Sequence, residues 1–182
     1  MRQLFIFLSL PLFALDYATK EYIVRNFKLW SAQDNPLHPF FDADPEKLMV
    51  KEVIPGIFDI VRVHNTGVAF GMGNEAAWAN VVFGGITLGA LALIWWLARA
   101  NAFPTRTSRV AVALLLSGIF GNLLDRVMRG YVVDFIHVHY GTWQWPSFNV
   151  ADSCICIAAA LLFISAFQKT PAGERPAQEP SA

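Results

Sequence analysis

From Ala76 to Ala98 the chain carries no charged side chain, and the run closes on Ile94-Trp95-Trp96-Leu97-Ala98 followed by Arg99. A helix rising about 1.5 Å per residue over this stretch crosses the roughly 30 Å hydrocarbon core of a bilayer. An aromatic pair followed by a cation is what such a helix presents at the membrane interface. Of the 182 residues, 55% are hydrophobic and 15% are charged, so the rest of the chain agrees with a bilayer-embedded protein. The formal net charge is zero and the basic residues are scattered, which excludes a nucleic-acid partner.

Three further apolar runs extend the reading. Leu4 to Leu15, LFIFLSLPLFAL, follows Arg2 and resembles the start of a secretory signal, but no small-x-small cleavage site follows it. The pattern continues through DYATKEYIV, with Asp16 and Lys20 four apart on one helical face, so Leu4 to Val24 is expected to be a first span with an ion pair near its far end. Val110 to Leu124 forms a third span, in which Gly118 and Gly121 permit close helix contact ahead of Asn122, Asp125 and Arg126. The fourth runs from about Val150 to Gln168. Cys154 and Cys156 point to different faces of that helix, and a disulfide between them is not expected.

The expected architecture is a membrane all-α fold of four transmembrane helices, spanning about residues 4–24, 76–98, 109–128 and 150–168. Residues 1–169 make one membrane domain, and the polar, proline-rich 170–182 a disordered cytoplasmic tail. Between the first two helices, the outer segment 25–75 is rich in turn formers. Within it, Leu48–Ile54 and Ile57–His64 are rich in valine and isoleucine and flank Pro55-Gly56, which reads as a small hairpin. Ser31–Lys47 has no usable periodicity. Arg2, Arg99, Arg106, Arg109, Lys169 and Arg175 fall on one side of this topology, so that side is cytoplasmic and holds both termini.

On that topology the unusual polar groups converge at the outer boundary. Asp16 and Lys20 lie towards the outer end of the first helix, His64–Gly71 leads into the second, Asn122, Asp125 and Arg126 end the third, and Asn149 and Asp152 begin the fourth. Ionisable side chains are costly there and need a reason. Two carboxyl groups sharing a site cannot both ionise cheaply; one keeps a proton while the other is a base, and together they can activate water and protonate a leaving amine. Asp16 has Lys20 one turn away and Asp125 has Arg126 beside it, which suits structural or orienting roles. Asp134 and Asp152 have no adjacent cation and are the better catalytic pair.

Each of these residues also has a plainer reading. In FNVADS, Asn149 can cap the fourth helix with Asp152 at its third position, close to a capping box. Asp134 can be a solvated loop carboxylate, Asp125-Arg126 a helix-end pair, and Asn65-Thr66-Gly67 an ordinary turn. His137 and His139 share a face if extended, but no further spaced ligands accompany them, and no metal or other cofactor is expected. Trp143 and Trp145 anchor the Arg129–Phe148 loop at the headgroup level.

Taken together, DYATK, HNTGVAFG, GNLLDRVMRGYVVDFI and FNVADS, in this order among four spans, closely resemble the bacterial lipoprotein signal peptidase family, also called signal peptidase II. The resemblance runs from about Leu4 to Gln168. It implies an inner-membrane aspartic peptidase that cuts prolipoproteins immediately before a diacylglyceryl-modified cysteine. Its catalytic aspartates fall on Asp134 and Asp152; Asp134 is preferred to Asp125, which has a guanidinium neighbour. Asn149 and Asn65 match polar site residues, with Gly67 beside the latter. Asp16 and Lys20 match the first-helix motif, and Asn122, Asp125 and Arg126 the group ahead of the catalytic loop. The implied partners are lipid-modified prolipoproteins and membrane lipids. The oligomeric state stays open and is compatible with a monomer. The stretch SAQDNPLHPFFDADPEK is longer than the family pattern and bears on the rim around the substrate.

A small membrane transporter or channel is the alternative, but its sites sit near the midplane between repeated halves, and no repeat is visible. A non-catalytic membrane scaffold is the third reading; it would tolerate the loss of both Asp134 and Asp152.

Overall fold

The computed structural model describes residues 2–30, 47–67 and 77–168. The long outer insertion up to Glu46, residues 68–76 and the tail from Lys169 lie outside the described residues, so the readings made of them above are not addressed by it.

The first apolar run is one helical segment, α1, made of an α-helical start at Arg2–Leu4, a π-helical turn at Phe5–Ser9 and an α-helix at Leu10–Asn26. Pro11 has no N–H to donate to the preceding turn, and the widened turn lies immediately ahead of it. The segment ends where Phe27 turns extended. There Arg62 Nη1 donates to the carbonyls of Val24 (3.3 Å) and Phe27 (3.1 Å), placing a cation at the negative end of the helix dipole.

The hairpin forms as expected, with β1 at Lys51–Ile54 and β2 at Phe58–Asn65 joined through Gly56 at φ +71°. The β element is nevertheless larger than the outer segment alone suggests. The 129–148 segment, read above as a loop, contains β3 (Val132–Tyr140) and β4 (Trp143–Gln144), and the four strands form an antiparallel sheet in chain order. YVVDFIHVHY mixes apolar and polar positions without caps or a long apolar stretch, so its strand character emerges only from pairing with β2. In that pairing Val63 stands opposite Asp134 and Asn65 opposite Val132.

The remaining helices are α2 (Ala77–Arg99), α3 (Arg106–Arg129) and α4 (Val150–Ala166). Among the described residues, two helices, α2 from Val81 and α3, are long and apolar enough to cross a bilayer, and α4 is a shorter apolar helix. Thr105 caps α3 by accepting from the Ser108 N–H at 3.0 Å, and Gly130 ends it at φ +79°. Among the described residues, large apolar side chains are exposed while charged ones are buried: Val81 is 76% and Phe163 70% exposed, whereas Asp16 and Lys20 are each 1% exposed. That inversion suits a lipid solvent rather than water.

Helices α3 and α4 meet along Gly118 and Gly121. A Cβ on Gly118 would run into the Ala151 carbonyl and the Ile155 side chain, and one on Gly121 would come within 2.5 Å of Asp16 Oδ2 and 3.0 Å of Ala151 Cβ. Gly121→Val is therefore expected to cost about 1–3 kcal/mol through overpacking, read as a lowered thermal midpoint of the purified protein. An unchanged midpoint would show that the interface can move apart. Cys154 is buried between these helices with Leu114 and Ala158 while Cys156 is exposed, and both are free thiols.

Candidate active site

Two polar clusters meet where α1, α3, α4 and the sheet come together. The first is built on Lys20, whose ammonium lies 2.8 Å from Asp16 Oδ2, 3.2 Å from Asp125 Oδ2 and 3.0 Å from Asn122 Oδ1. Asp16 turns its other oxygen to the Ala151 N–H (2.8 Å), so one carboxylate holds the start of α4 against α1. Asp125 is bound by Arg129 Nη1 at 3.0 Å and accepts from the Val133 N–H at 3.0 Å, which positions β3. Arg129 continues the network to Glu21, and Glu21 to Arg25.

The guanidinium partner of Asp125 is Arg129 rather than the adjacent Arg126. On a helix, neighbours in sequence point about 100° apart, while residues four apart share a face. That spacing, Asp125 to Arg129 and Glu21 to Arg25, was the signal by which Arg129 and Glu21 could have been found in the sequence. Arg62 had no such signal, since its partners are backbone carbonyls far along the chain.

The second cluster contains Asp134 and Asp152, brought together around Asn149. Asn149 Nδ2 donates to Asp134 Oδ1 at 2.7 Å, and its Oδ1 accepts from the Asp152 N–H at 2.9 Å. Asp152 Oδ2 accepts from the Asn149 N–H at 3.2 Å, completing a capping box. The plainer reading of FNVADS is thus correct as local structure. It does not compete with the site, because Asp152 Oδ1 faces Asn122 Nδ2 at 2.7 Å.

The amides are locked in orientation. Asn122 Oδ1 receives Lys20 and, at 3.2 Å, Asn149, so its amino group is left to Asp152. Asn65 Oδ1 accepts from the Gly67 N–H at 2.8 Å, and its amino group donates to Asp134 Oδ2 at 3.0 Å. Gly67 has φ +81°, and a Cβ there would overlap the Phe83 ring, so glycine is needed twice over. Arg126 spreads over that ring, 4.8 Å from its centroid, and Nη1 reaches the Asn122 carbonyl at 3.4 Å. Its Nε is buried and has no partner among the described residues.

Asp134 is 2% exposed. Burial first, and then the charge of Asp152, push its pKa from 3.8 up to about 7, against the donors Asn65 and Asn149 and the Lys20 charge, which pull it down. Such an acid holds its proton near neutrality beside a second carboxylate, the arrangement that general acid–base chemistry needs.

The histidines lie elsewhere on β3. His139 Nε2 is 2.9 Å from Asp59 Oδ2, and His137 packs on His139 and on the edge of Trp30. Burial and the neighbouring His139 lower the His137 pKa, with Asp59 opposing. Among the described residues, no three His, Cys, Asp or Glu side chains converge as metal ligands.

The chain is similar to known proteins over most of its length. Residues 8–168 match the family model described as signal peptidase (SPase) II. The chain is 32% identical over 165 residues to the lipoprotein signal peptidase of Pseudoalteromonas atlantica, covering 90% of this chain and 89% of the relative. It is 37% identical over 120 residues to that of Vibrio vulnificus, covering 65% and 70%. A bacterial membrane enzyme solved by the in meso method at 1.9 Å resolution is similar with a TM-score of 0.70 and 28% identity, covering 91% of this chain and 94% of the other.

Proposed function

Because the chain belongs to the signal peptidase II family, we propose that it removes lipoprotein signal peptides as an aspartic endopeptidase, with Asp134 and Asp152 as its catalytic pair. The observation that carries this reading is the shared contact of both aspartates with Asn149, which holds one buried carboxyl beside the other. Asp152 takes a proton from water as the water oxygen bonds to the scissile carbonyl carbon, and Asp134 gives its proton to the carbonyl oxygen. As the tetrahedral intermediate collapses, Asp152 passes its proton to the leaving nitrogen, the C–N bond breaks, and one hydroxyl of the intermediate gives its proton to Asp134 as it becomes the new carbonyl, so the pair again holds one proton. Coupled carboxyls titrate jointly, so the proton belongs to the pair. The Arg126 Nε–H, without a partner among the described residues, supplies a cationic donor for a substrate carbonyl, while Asn65, Asn122 and Asn149 hold the carboxyls in place.

The membrane placement follows the same reading. All four helical segments span the inner membrane of a bacterium, residues 1–169 act as one domain, both termini are cytoplasmic, and the pair lies at the outer boundary. On this reading the chain acts as a monomer. The diacylglyceryl group of the substrate keeps its cysteine at the outer headgroup level, where the dyad meets the peptide bond immediately before it without extracting the lipid. Holding that bond against the pair can supply several kcal/mol of the barrier reduction, on the order of the effect of proximity in other enzymes.

The test is to incubate the detergent-solubilised protein with a diacylglyceryl-modified precursor and with its unmodified form across a pH series. Cleavage of the modified form alone, before the cysteine, is expected. Activity should fall as pH rises through about 7, because Asp134 then loses the proton it must donate. The same shift makes Asp134 favour the fold fully below the ordinary carboxyl pKa of 3.8, an advantage lost as pH rises through about 7. Equal cleavage of both precursors, or activity that climbs steadily above pH 7, would overturn the proposal.

A further inference from the structure

A second concave feature lies on the outer half of α1, apart from the dyad. It is a groove of about 340 Å³ between Ala18, Tyr22 and Phe27 on the helix and Ile60 and Phe135 on the sheet, with Lys51 among its walls. The small Ala18 and Thr19 open it, and the Thr19 hydroxyl is turned back onto the carbonyls of Leu15 and Asp16, so the floor offers no free hydroxyl. Lys51 stands opposite Ile60 in the β1–β2 pairing, and cross-strand partners project to the same face of a sheet. Its ammonium therefore borders the apolar walls at the sheet end of the groove. No ion pair to Lys51 exists among the described residues.

The groove presents an apolar trough along the outer end of a membrane helix, and Lys51 is the one cation among the residues that line it. We propose that it is a binding site for one anionic phospholipid of the outer leaflet, its acyl chain along Ala18, Thr19 and Tyr22 and its phosphate against Lys51. The charge selects the occupant: a diacylglyceryl cysteine carries no phosphate, a zwitterionic phospholipid carries its own cation beside its phosphate, and an anionic phospholipid leaves its phosphate to pair with the ammonium. Ile23, Phe27 and Phe135 also belong to the core that joins α1 to the sheet, so a lipid seated there braces the sheet that carries Asp134. The inference rests on the proposed placement of the outer end of α1 at the headgroup level.

Native mass spectrometry of the detergent-purified full chain, offered phosphatidylglycerol and phosphatidylcholine of identical acyl chains, tests it. One phosphatidylglycerol should be retained about fivefold more than phosphatidylcholine, the factor that one lysine contributes at an anionic surface. Lys51→Gln should remove that preference, Lys28→Gln should leave it, and Ala18→Phe, which fills the trough, should lower retention of both lipids. Equal retention of the two lipids by the native protein, an equal loss in Lys28→Gln, or undiminished retention by Ala18→Phe would each overturn the site. Cleavage of the modified precursor by each variant verifies its fold. Lipid retention is read from mass alone, so a failure of the peptidase reading would be seen separately.

Discussion

Asp134→Asn and Asp152→Asn are each expected to lower cleavage of a lipid-modified precursor by about 10²- to 10⁴-fold, the scale on which enzymes lose a positioned general acid or base. Asparagine keeps the size of aspartate but can neither give nor take the proton, so the chemical step suffers while the helices stay assembled. The substitution is not innocent locally. Each carboxylate accepts from two fixed donors, Asn149 and Asn65 at Asp134, and the Asn149 N–H and Asn122 at Asp152. An amide has one oxygen, so one donor in each variant faces an NH₂ group, at a cost of about 1–3 kcal/mol. A circular dichroism spectrum and thermal midpoint recorded beside the rate separate this modest destabilisation from the catalytic loss. Retention of full activity by either folded variant would remove that aspartate from the mechanism.

Lys20→Met is expected to destabilise the protein by about 3–5 kcal/mol, the cost of breaking a buried ion pair from one side. Lys20 is the cation shared by Asp16 and Asp125, and all three side chains are buried. Three cations, Lys20, Arg129 and Arg25, balance three carboxylates, Asp16, Asp125 and Glu21, through linked pairs. Without Lys20, Asp16 has no cation within the network, and Asn122 loses the donor that orients its oxygen. The measurement is unfolding in mild detergent, with Lys20→Met/Asp16→Asn as the second variant. Partial recovery of stability in the double variant is the expected outcome, because it removes the uncompensated charge. A double variant no more stable than the single would show that Asp125, not Asp16, bears the lost pairing.

The apolar runs and their glycine contacts were legible because they depend on local pattern alone: residues 76–98 lack charge, and Gly118 and Gly121 lie on one face of a helix. The capping box at Asn149 and Asp152 and the Asp16–Lys20 pair were equally legible, since a helix brings residues three or four apart together. The strands β3 and β4 were not, because their hydrogen bonds run to β2 and to each other rather than along the chain. Asp125, by contrast, found Arg129 one helical turn on, a spacing the sequence does carry, and Lys20 across the helices, which it does not.

The Gly118–Ser153 stretch shows where the boundary lies. Its residues alone determined that ionisable groups sit between two apolar helices, and that Asp134 and Asp152 lack neighbouring cations. Only the tertiary structure decided that Asn149 contacts both aspartates, that Asn65 reaches Asp134 across a strand pair, and that Lys20 of the first helix orients Asn122 of the third. Periodicity reports which face of an element a residue occupies, but a hydrogen bond between distant elements depends on how those faces are docked. A buried carboxyl takes its acidity from that docking, through the water it excludes and the charge it brings near.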